Sequence, residues 1–294
     1  MKRNLSRPLR ICSGMAVAVV LACMGCLLAF IIVKGLPTLG WKLFFGDTPA
    51  LKAVLGLRPV WDGLWPALAG TLCLVGLTLC LALFPGIGSG VFLAEYAPPK
   101  VKDWAGAAVE MLAGTPSIVM GLFGFMLILF LRRTIAPEAN TCLFLAAGCL
   151  ALLVLPTLIV STREALEASS PMLRLSALSL GYSREQIVRY VLLPSAAPGI
   201  WSGIVLALGR AAEDTAVIML AGVVANAGLP AGLMGKFEAL PFYIFYTAAQ
   251  YQNLEELARG FGASLVLLVL GGGLVLAARL MEMAYSKRWN GSVR

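Results

Sequence analysis

The chain has 294 residues, of which 60% are hydrophobic and only 13% charged, and its mean hydropathy is +0.88. Because a soluble domain carries about 25% charged residues, this composition excludes an ordinary water-soluble fold. The net charge of +8 does not indicate a nucleic-acid partner, since the basic residues are scattered and form no dense stripe with aromatic residues. The sequence contains no histidine, which excludes histidine-based catalysis and histidine metal ligands. The seven cysteines lack the paired spacing of a zinc site or a disulfide framework.

Six apolar runs are long enough to cross a bilayer, which requires roughly 18–20 residues. They predict membrane helices at Ile11–Val33, Pro66–Leu93, Ala107–Leu131, Thr141–Val160, Ala196–Val224 and Phe261–Tyr285. The predicted fold class is therefore an all-α membrane protein, whose helices satisfy their own backbone hydrogen bonds in lipid. Basic residues at both ends of the chain favour the cytoplasm for both termini, and an even number of spans requires the two termini to share a side.

The second predicted helix contains Pro85 and a run of alternating glycines at Gly86, Gly88 and Gly90. No strand precedes these glycines, so they predict close helix packing or a kink and not a dinucleotide-binding loop. The only Gly-Lys pair, Gly235-Lys236, lacks the first glycine and the hydroxyl residue of a P-loop. We therefore expect this chain to bind no cofactor, and any ATP to be hydrolysed by a partner.

The segment between the fourth and fifth predicted helices, Ser161–Ser195, predicts two short helices outside the membrane. Ser170-Pro171 is typical of an N-cap followed by proline at the first helical position, and the helix Met172–Leu180 follows it. Ser183–Gln186 is a capping box that begins the second short helix, which we expect to end at Pro194. The first of these helices is apolar or small nearly all round, which predicts burial against something outside this chain or, alternatively, a helix lying on the membrane surface.

This segment resembles the cytoplasmic EAA loop shared by the permeases of ABC importers. The family pattern is E-A-A, three residues, Gly, nine residues, a β-branched residue, any residue and Leu-Pro. The positions that match this spacing are Leu175, Ser176, Ala177, Gly181, Val191, Leu193 and Pro194. Leu175 stands in place of the family's glutamate. The resemblance implies that this loop, including Tyr182, docks into a groove of an ATPase subunit and transmits its closure to the membrane helices.

Two further segments resemble the phosphate-specific branch of these permeases, the PstA and PstC types. Ala113–Gly124 is similar to the signature PSIV-x-GLFG, and Gly209–Ala216 is similar to R-A-x-G-E-T-A. In the second segment Glu213 replaces the family's glycine and Asp214 its glutamate. The stretch Leu240–Gln250 is more similar to the PstA type than to the PstC type.

Three charged residues lie in the fifth predicted helix, where each would cost about 2.5–3.5 kcal/mol if it faced lipid. The spacing of Arg210, Glu213 and Asp214 predicts that they share one helix face and can pair. One interpretation is a structural ion pair. The other is an anion pathway, in which Arg210 binds two phosphate oxygens and a carboxylate accepts the phosphate proton, or in which the carboxylates hold Arg210 as a closed gate. The remaining candidate pathway residues are the hydroxyl residues Thr115, Ser117 and Thr215, although Thr115-Pro116 alternatively begins a helix.

The resemblance implies the type I ABC importer permease fold and three segments: residues 1–65 with the first helix and an exported loop, a permease core at 66–285, and a cytoplasmic tail at 286–294. It also implies a bacterial inner-membrane location. The expected partners are a second similar permease, two ATPase subunits that use ATP and magnesium, and an exported phosphate-binding protein. The alternatives are a permease for molybdate, sulfate or phosphonate, the PstC-type partner subunit, an intramembrane enzyme, and a passive channel or secondary transporter.

Overall fold

The computed structural model describes residues 6–61, 63–138 and 140–291, and in these ranges the chain is helical apart from its connections and one isolated bridge, Val223 to Phe237. The helices are α1 (Ser6–Gly35), α2 (Trp41–Phe45), α3 (Ala50–Val54), α4 (Trp65–Val91), α5 (Pro99–Ala113), α6 (Ser117–Thr134), α7 (Leu143–Glu167), α8 (Pro171–Ser179), α9 (Arg184–Ile187), α10 (Leu193–Glu213), α11 (Thr215–Ala221), α12 (Leu240–Gln250) and α13 (Leu254–Gly291). A 3₁₀ turn follows α1 at Leu36–Thr38, and π turns follow α4 and α9 at Phe92–Tyr96 and Val188–Leu192. Six segments of the described chain are long and apolar enough to cross a membrane, which confirms the prediction of an all-α protein with six membrane helices.

Helix α7 forms the centre of the bundle, because 61% of its most apolar stretch is buried, whereas none of the corresponding stretch of α1 is. Two glycines of α4 allow the close approach of α7. A Cβ built on Gly86 would lie 2.7 Å from the Cβ of Leu158, and one on Gly90 would lie 2.6 Å from the Cβ of Thr162. The prediction that small residues of this helix serve close packing is therefore confirmed for these two positions.

Helix α1 lies at the edge of the bundle, against α13. Phe30 meets Phe261 edge to face, with ring centroids 5.5 Å apart. Gly35 lies so near α13 that a Cβ there would be 2.7 Å from the carbonyl oxygen of Phe261. The first and last long helices of the chain are thus neighbours.

The helices run between two ends of the bundle. At the loop end, defined here by residues 36–64 and 222–253, Leu64 and Leu240 are fully buried in one apolar cluster. At the coupling end, defined by α8, α9 and the π turns, a second cluster joins Ala177 of α8 to Leu166 of α7 and Leu192. The short helices at the coupling end are therefore packed onto the ends of the membrane helices.

The third predicted helix, Ala107–Leu131, is wrong as a continuous element. The chain breaks at Gly114–Pro116, where α5 ends, and α6 begins only at Ser117. Proline lacks an amide proton and restrains the residue before it, so the break falls where Pro116 stands. The alternative interpretation, in which Thr115-Pro116 begins a helix, is confirmed.

The second short helix of the coupling end does not stop at Pro194, so that prediction is wrong. Helix α9 continues through the π turn into α10, and Pro194 lies in the first turn of α10. The π turn widens the helix just before Pro194 and changes its hydrogen-bond register. The helix therefore continues past this residue, although proline has no amide proton to donate. Arg184–Glu213 therefore forms one long segment that reaches from the coupling end into the membrane.

Candidate functional site

The long helix that ends in α10 stops inside the membrane domain at Asp214. The backbone of this residue is extended, with φ −73° and ψ 105°, and its carboxylate Oδ1 accepts a hydrogen bond of 2.9 Å from the amide of Val217. Aspartate is a favoured N-cap because its oxygen satisfies an amide of the first turn. Asp214 therefore ends α10 and begins α11, and the fifth predicted helix, Ala196–Val224, is two helices.

The expectation that Arg210, Glu213 and Asp214 share one helix face is wrong, because Asp214 has left the helix. Arg210 is half-buried and Glu213 is exposed, and both remain on the last turn of α10. Within the described residues no ion pair joins Arg210 to either carboxylate. The Glu213 carboxylate instead lies over Gly271 of α13, where a built Cβ would be 3.5 Å from Oε1.

The two segments that carry the phosphate-type signatures pack directly against each other. A Cβ built on Gly121 of α6 would lie 2.9 Å from the carbonyl oxygen of Ala216, and one on Gly124 would lie 2.9 Å from the Cβ of Ala221. Helices α6 and α11 therefore touch backbone to backbone, just beyond the turn at Asp214. This contact places the start of α6 beside the broken part of the fifth span.

The predicted hydroxyl residues of the pathway lie at the starts of these two helices. Thr115 donates a hydrogen bond of 2.7 Å to the carbonyl of Leu112, so its proton is already engaged. Ser117 is the first residue of α6 and Thr215 the first residue of α11, and both are half-buried.

At the coupling end the local sequence signals are confirmed. Ser170 accepts a hydrogen bond from the amide of Met172 at 3.3 Å, and Ser183 and Gln186 form the reciprocal capping box. Gly181 ends this stretch with φ +80°, a left-handed conformation that glycine adopts without strain. Only Ala177 of α8 is buried.

The apolar face of α8 is uncovered in the single chain. Met172 is 69% exposed, Leu175 is 59% exposed and Leu178 is 57% exposed. The coupling positions Ser176 and Tyr182 are exposed as well, and Pro194 is half-buried. A contiguous exposed apolar surface on a short helix is typical of a protein contact.

Glu238 is a buried carboxylate that the sequence did not reveal. It lies at the loop end, where its Oε1 accepts a hydrogen bond of 2.9 Å from the amide of Gly228. Burial raises the pKa of the Glu238 carboxyl above its ordinary value, and the amides of Gly228 and Ala227 counteract part of that rise. A cavity of about 300 Å³ opens beside it and is lined by Tyr243 and Arg259, among others. The burial of Glu238 could not be predicted from the sequence around it, because segments that are distant in sequence cover it.

Comparison with known proteins gives the family. A family model described as "Binding-protein-dependent transport system inner membrane component" matches residues 86–284. The probable ABC transporter permease protein YqgI of Bacillus subtilis (strain 168) is 29% identical over 291 residues, which cover 95% of this chain and 92% of the relative. The phosphate transport system permease protein PstA 1 of Mycobacterium tuberculosis (strain CDC 1551 / Oshkosh) is 31% identical over 227 residues, which cover 77% of this chain and 72% of the relative.

A solved structure has the same fold. It is an inward-facing conformation of the MetNI methionine ABC transporter, with a TM-score of 0.58 and 20% identity, covering 76% of this chain and 97% of that chain. Together with the six membrane helices, this likeness confirms the type I ABC importer permease fold. The family match and the permease relatives make the chain an inner-membrane transport subunit and not an enzyme, with ATP hydrolysed by a separate subunit. The chain belongs to the family of inner-membrane components of binding-protein-dependent transport systems, and it is the permease subunit of an ABC importer.

Proposed function

We propose that this permease carries inorganic phosphate. The observation that supports this most directly is Arg210, whose half-buried guanidinium has no hydrogen-bond or ion-pair partner within the described residues. An unpaired cation inside a membrane span costs about 2.5–3.5 kcal/mol unless it meets water or an anion. The planar fork of arginine matches two oxygens of a tetrahedral oxyanion.

Glu213 is assigned the role of discriminating between oxyanions. Phosphate carries a proton near neutral pH and offers an O–H to a carboxylate, whereas sulfate is fully ionised and is repelled by one. Asp214 is engaged as the N-cap of α11, while Glu213 has no hydrogen-bond partner among the described residues. Ser117 and Thr215 would supply neutral donors from the starts of the two packed helices.

A gate closed by an ion pair at this place belongs to a different conformational state. In the present structure neither carboxylate pairs with Arg210. Rotation of the two side chains on the last turn of α10 would let Arg210 and Glu213, at i and i+3, form the pair.

The proposal includes the complex in which the chain works: a second similar permease, two ATPase subunits and an exported phosphate-binding protein. The exposed apolar face of α8 supports a contact with an ATPase subunit at the coupling end. Relatives named as phosphate transport permeases support the substrate, while YqgI is named only as a probable ABC transporter permease.

The test is uptake of labelled phosphate by vesicles that contain the complete transporter and its binding protein. Replacing Arg210 with alanine removes charge-assisted hydrogen bonds that are each worth about 1.5–3 kcal/mol, so uptake should fall at least about tenfold. Arg133, which is exposed in the last turn of α6, supplies the matched control, and its replacement should leave uptake unchanged. Glu213→Gln should reduce the preference for phosphate over sulfate in competition assays.

Normal phosphate uptake by an assembled Arg210→Ala complex would contradict the pathway role. Uptake of molybdate, sulfate or a phosphonate in place of phosphate by the unmodified complex would identify another oxyanion as the substrate.

A further inference from the structure

A buried carboxylate at the end of α4 holds the coupling helix α8. Glu95 is only 8% exposed and lies in the π turn Phe92–Tyr96. Both of its oxygens accept hydrogen bonds from Arg174 of α8, Oε2 from Nη1 at 2.7 Å and Oε1 from Nη2 at 2.6 Å. This two-pronged geometry fixes direction as well as distance, and the Glu95 carboxylate is buried while the Arg174 side chain is half-buried.

The second short helix is attached to the same place. Arg184, the first residue of α9, donates a hydrogen bond to the backbone carbonyl of Glu95. Its guanidinium also lies over the ring of Tyr96, 5.1 Å from the centroid. Two arginines from two short helices therefore hold two consecutive residues of one π turn.

Few other contacts hold α8 to the rest of the chain. Ala177 is its only buried residue, and its remaining apolar side chains are exposed. Arg174 is the only charged residue of α8, because Leu175 occupies the neighbouring position at which the family has a glutamate. The charge of this helix is thus used within its own chain, where the Arg174–Glu95 pair joins α8 to the end of α4 beside the apolar contacts of Ala177.

The π turn at Glu95 is continuous with the helix that packs most closely on the centre of the bundle. At Gly86 and Gly90, the backbone of α4 itself contacts α7, because these residues have no side chain. The same helix contributes Ala82 to a cluster with Ala207 and Ala211 of α10, on either side of Arg210 in the sequence. A continuous series of contacts therefore leads from α8 through α4 to the helix that carries the proposed anion-binding arginine.

We propose that Glu95 and Arg174 are positioning residues that convert movement of α8 into movement of α4 during the transport cycle. The inference rests on the proposed contact between α8 and an ATPase subunit, and the experiment measures that contact separately by copurification. The primary measurement does not depend on the identity of the substrate. It is amide hydrogen exchange of the complete complex, followed in α8 and at the end of α4, with and without a non-hydrolysable ATP analogue.

In the unmodified complex the analogue should change exchange in both segments. In each of the single variants Glu95→Gln and Arg174→Ala, the change in hydrogen exchange caused by the analogue should persist in α8 and disappear at residues 88–98. The ATPase subunit should still copurify with these variants, and transport per ATP hydrolysed should fall on the order of tenfold. The doubly exchanged variant Glu95→Arg/Arg174→Glu should recover most of the response. Glu282→Gln, which breaks the pair with Arg279 inside α13, is the matched control and should behave as the unmodified complex does.

Two results would overturn the proposal. The first is a response at residues 88–98 that remains in Glu95→Gln and Arg174→Ala while α8 also responds, because α4 would then be driven by another route. The second is that the ATPase subunit copurifies neither with the single variants nor with Glu95→Arg/Arg174→Glu. The ion pair would then serve folding or docking and not transmission.

Discussion

Thr71 of α4 makes the sharpest prediction about stability, because its hydroxyl joins two parts of the chain that are far apart in sequence. It is fully buried, donates to the carbonyl of Ala67 at 2.7 Å and accepts from the amide of Leu240 at 2.9 Å. Leu240 begins α12, so its amide has no partner within its own helix. The two chain segments also approach closely here, since a Cβ on Gly70 would lie 2.0 Å from the carbonyl oxygen of Glu238.

Thr71→Val keeps the volume of the side chain and removes only the hydroxyl. The carbonyl of Ala67 loses an additional donor, which is a minor effect, but the buried amide of Leu240 is left without an acceptor. Leaving a buried donor unsatisfied costs about 1–3 kcal/mol, so the midpoint of thermal unfolding of the purified chain in detergent should fall.

The same helix offers a matched control two turns further along. Thr78 is fully buried, and its hydroxyl has no hydrogen-bond partner within the described residues. Thr78→Val should therefore be neutral or stabilising, by up to about 1–3 kcal/mol. The reasoning fails if the two substitutions shift the unfolding midpoint equally, or if the substitution at 78 is the more damaging.

Two other substitutions test contacts of the site and the loop end. Gly121→Ala should destabilise the chain by about 1–3 kcal/mol and lower transport, because its Cβ would lie 2.9 Å from the carbonyl oxygen of Ala216. The control is Gly76→Ala, whose Cβ would have nothing within 4 Å and which should be neutral or gain up to about 1 kcal/mol from helix propensity. Equal unfolding midpoints of the two variants would contradict this. Because burial raises the pKa of Glu238 in the folded state, stability should fall as the pH rises from the ordinary carboxyl value of 4.5 through the raised one. Glu238→Gln still offers an oxygen to the amide of Gly228, and its stability should no longer depend on pH in this way. If the unfolding midpoint of this variant changes with pH as that of the unmodified chain does, Glu238 is not the source of the dependence.

The membrane helices were predictable because their signal is local. A run of about twenty apolar residues can be satisfied in lipid only by a helix or a closed barrel, so the six spans follow from composition along the chain. Of the breaks inside two of them, the one at Pro116 was predicted only as an alternative and the one at Asp214 was not predicted, although their causes are visible in the sequence. At Pro116 the missing amide proton ends the pattern, and at Asp214 an acceptor side chain competes with the helix for the amide of Val217.

The coupling end was predicted in more detail than the membrane site, again because caps are local. Ser170, Gly181 and the box at Ser183 each involve residues within a few positions of one another. The partner of Arg174 was beyond reach, since Glu95 lies 79 positions away and nothing in either segment indicates the other. The same holds for the burial of Glu238, which depends on how the loop end folds back onto α4.

The contact between α1 and α13 has a consequence for biosynthesis. The ribosome completes α1 before α13, so α1 enters the membrane before this neighbour exists. Helix α1 can lie in the lipid as a single helix, since no charged residue lies between Ile11 and Val33 and none of its most apolar stretch is buried in protein. Phe261 then meets Phe30 and joins α1 to the rest of the bundle. Synthesis of α13 is therefore the step at which α1 gains this neighbour in the bundle.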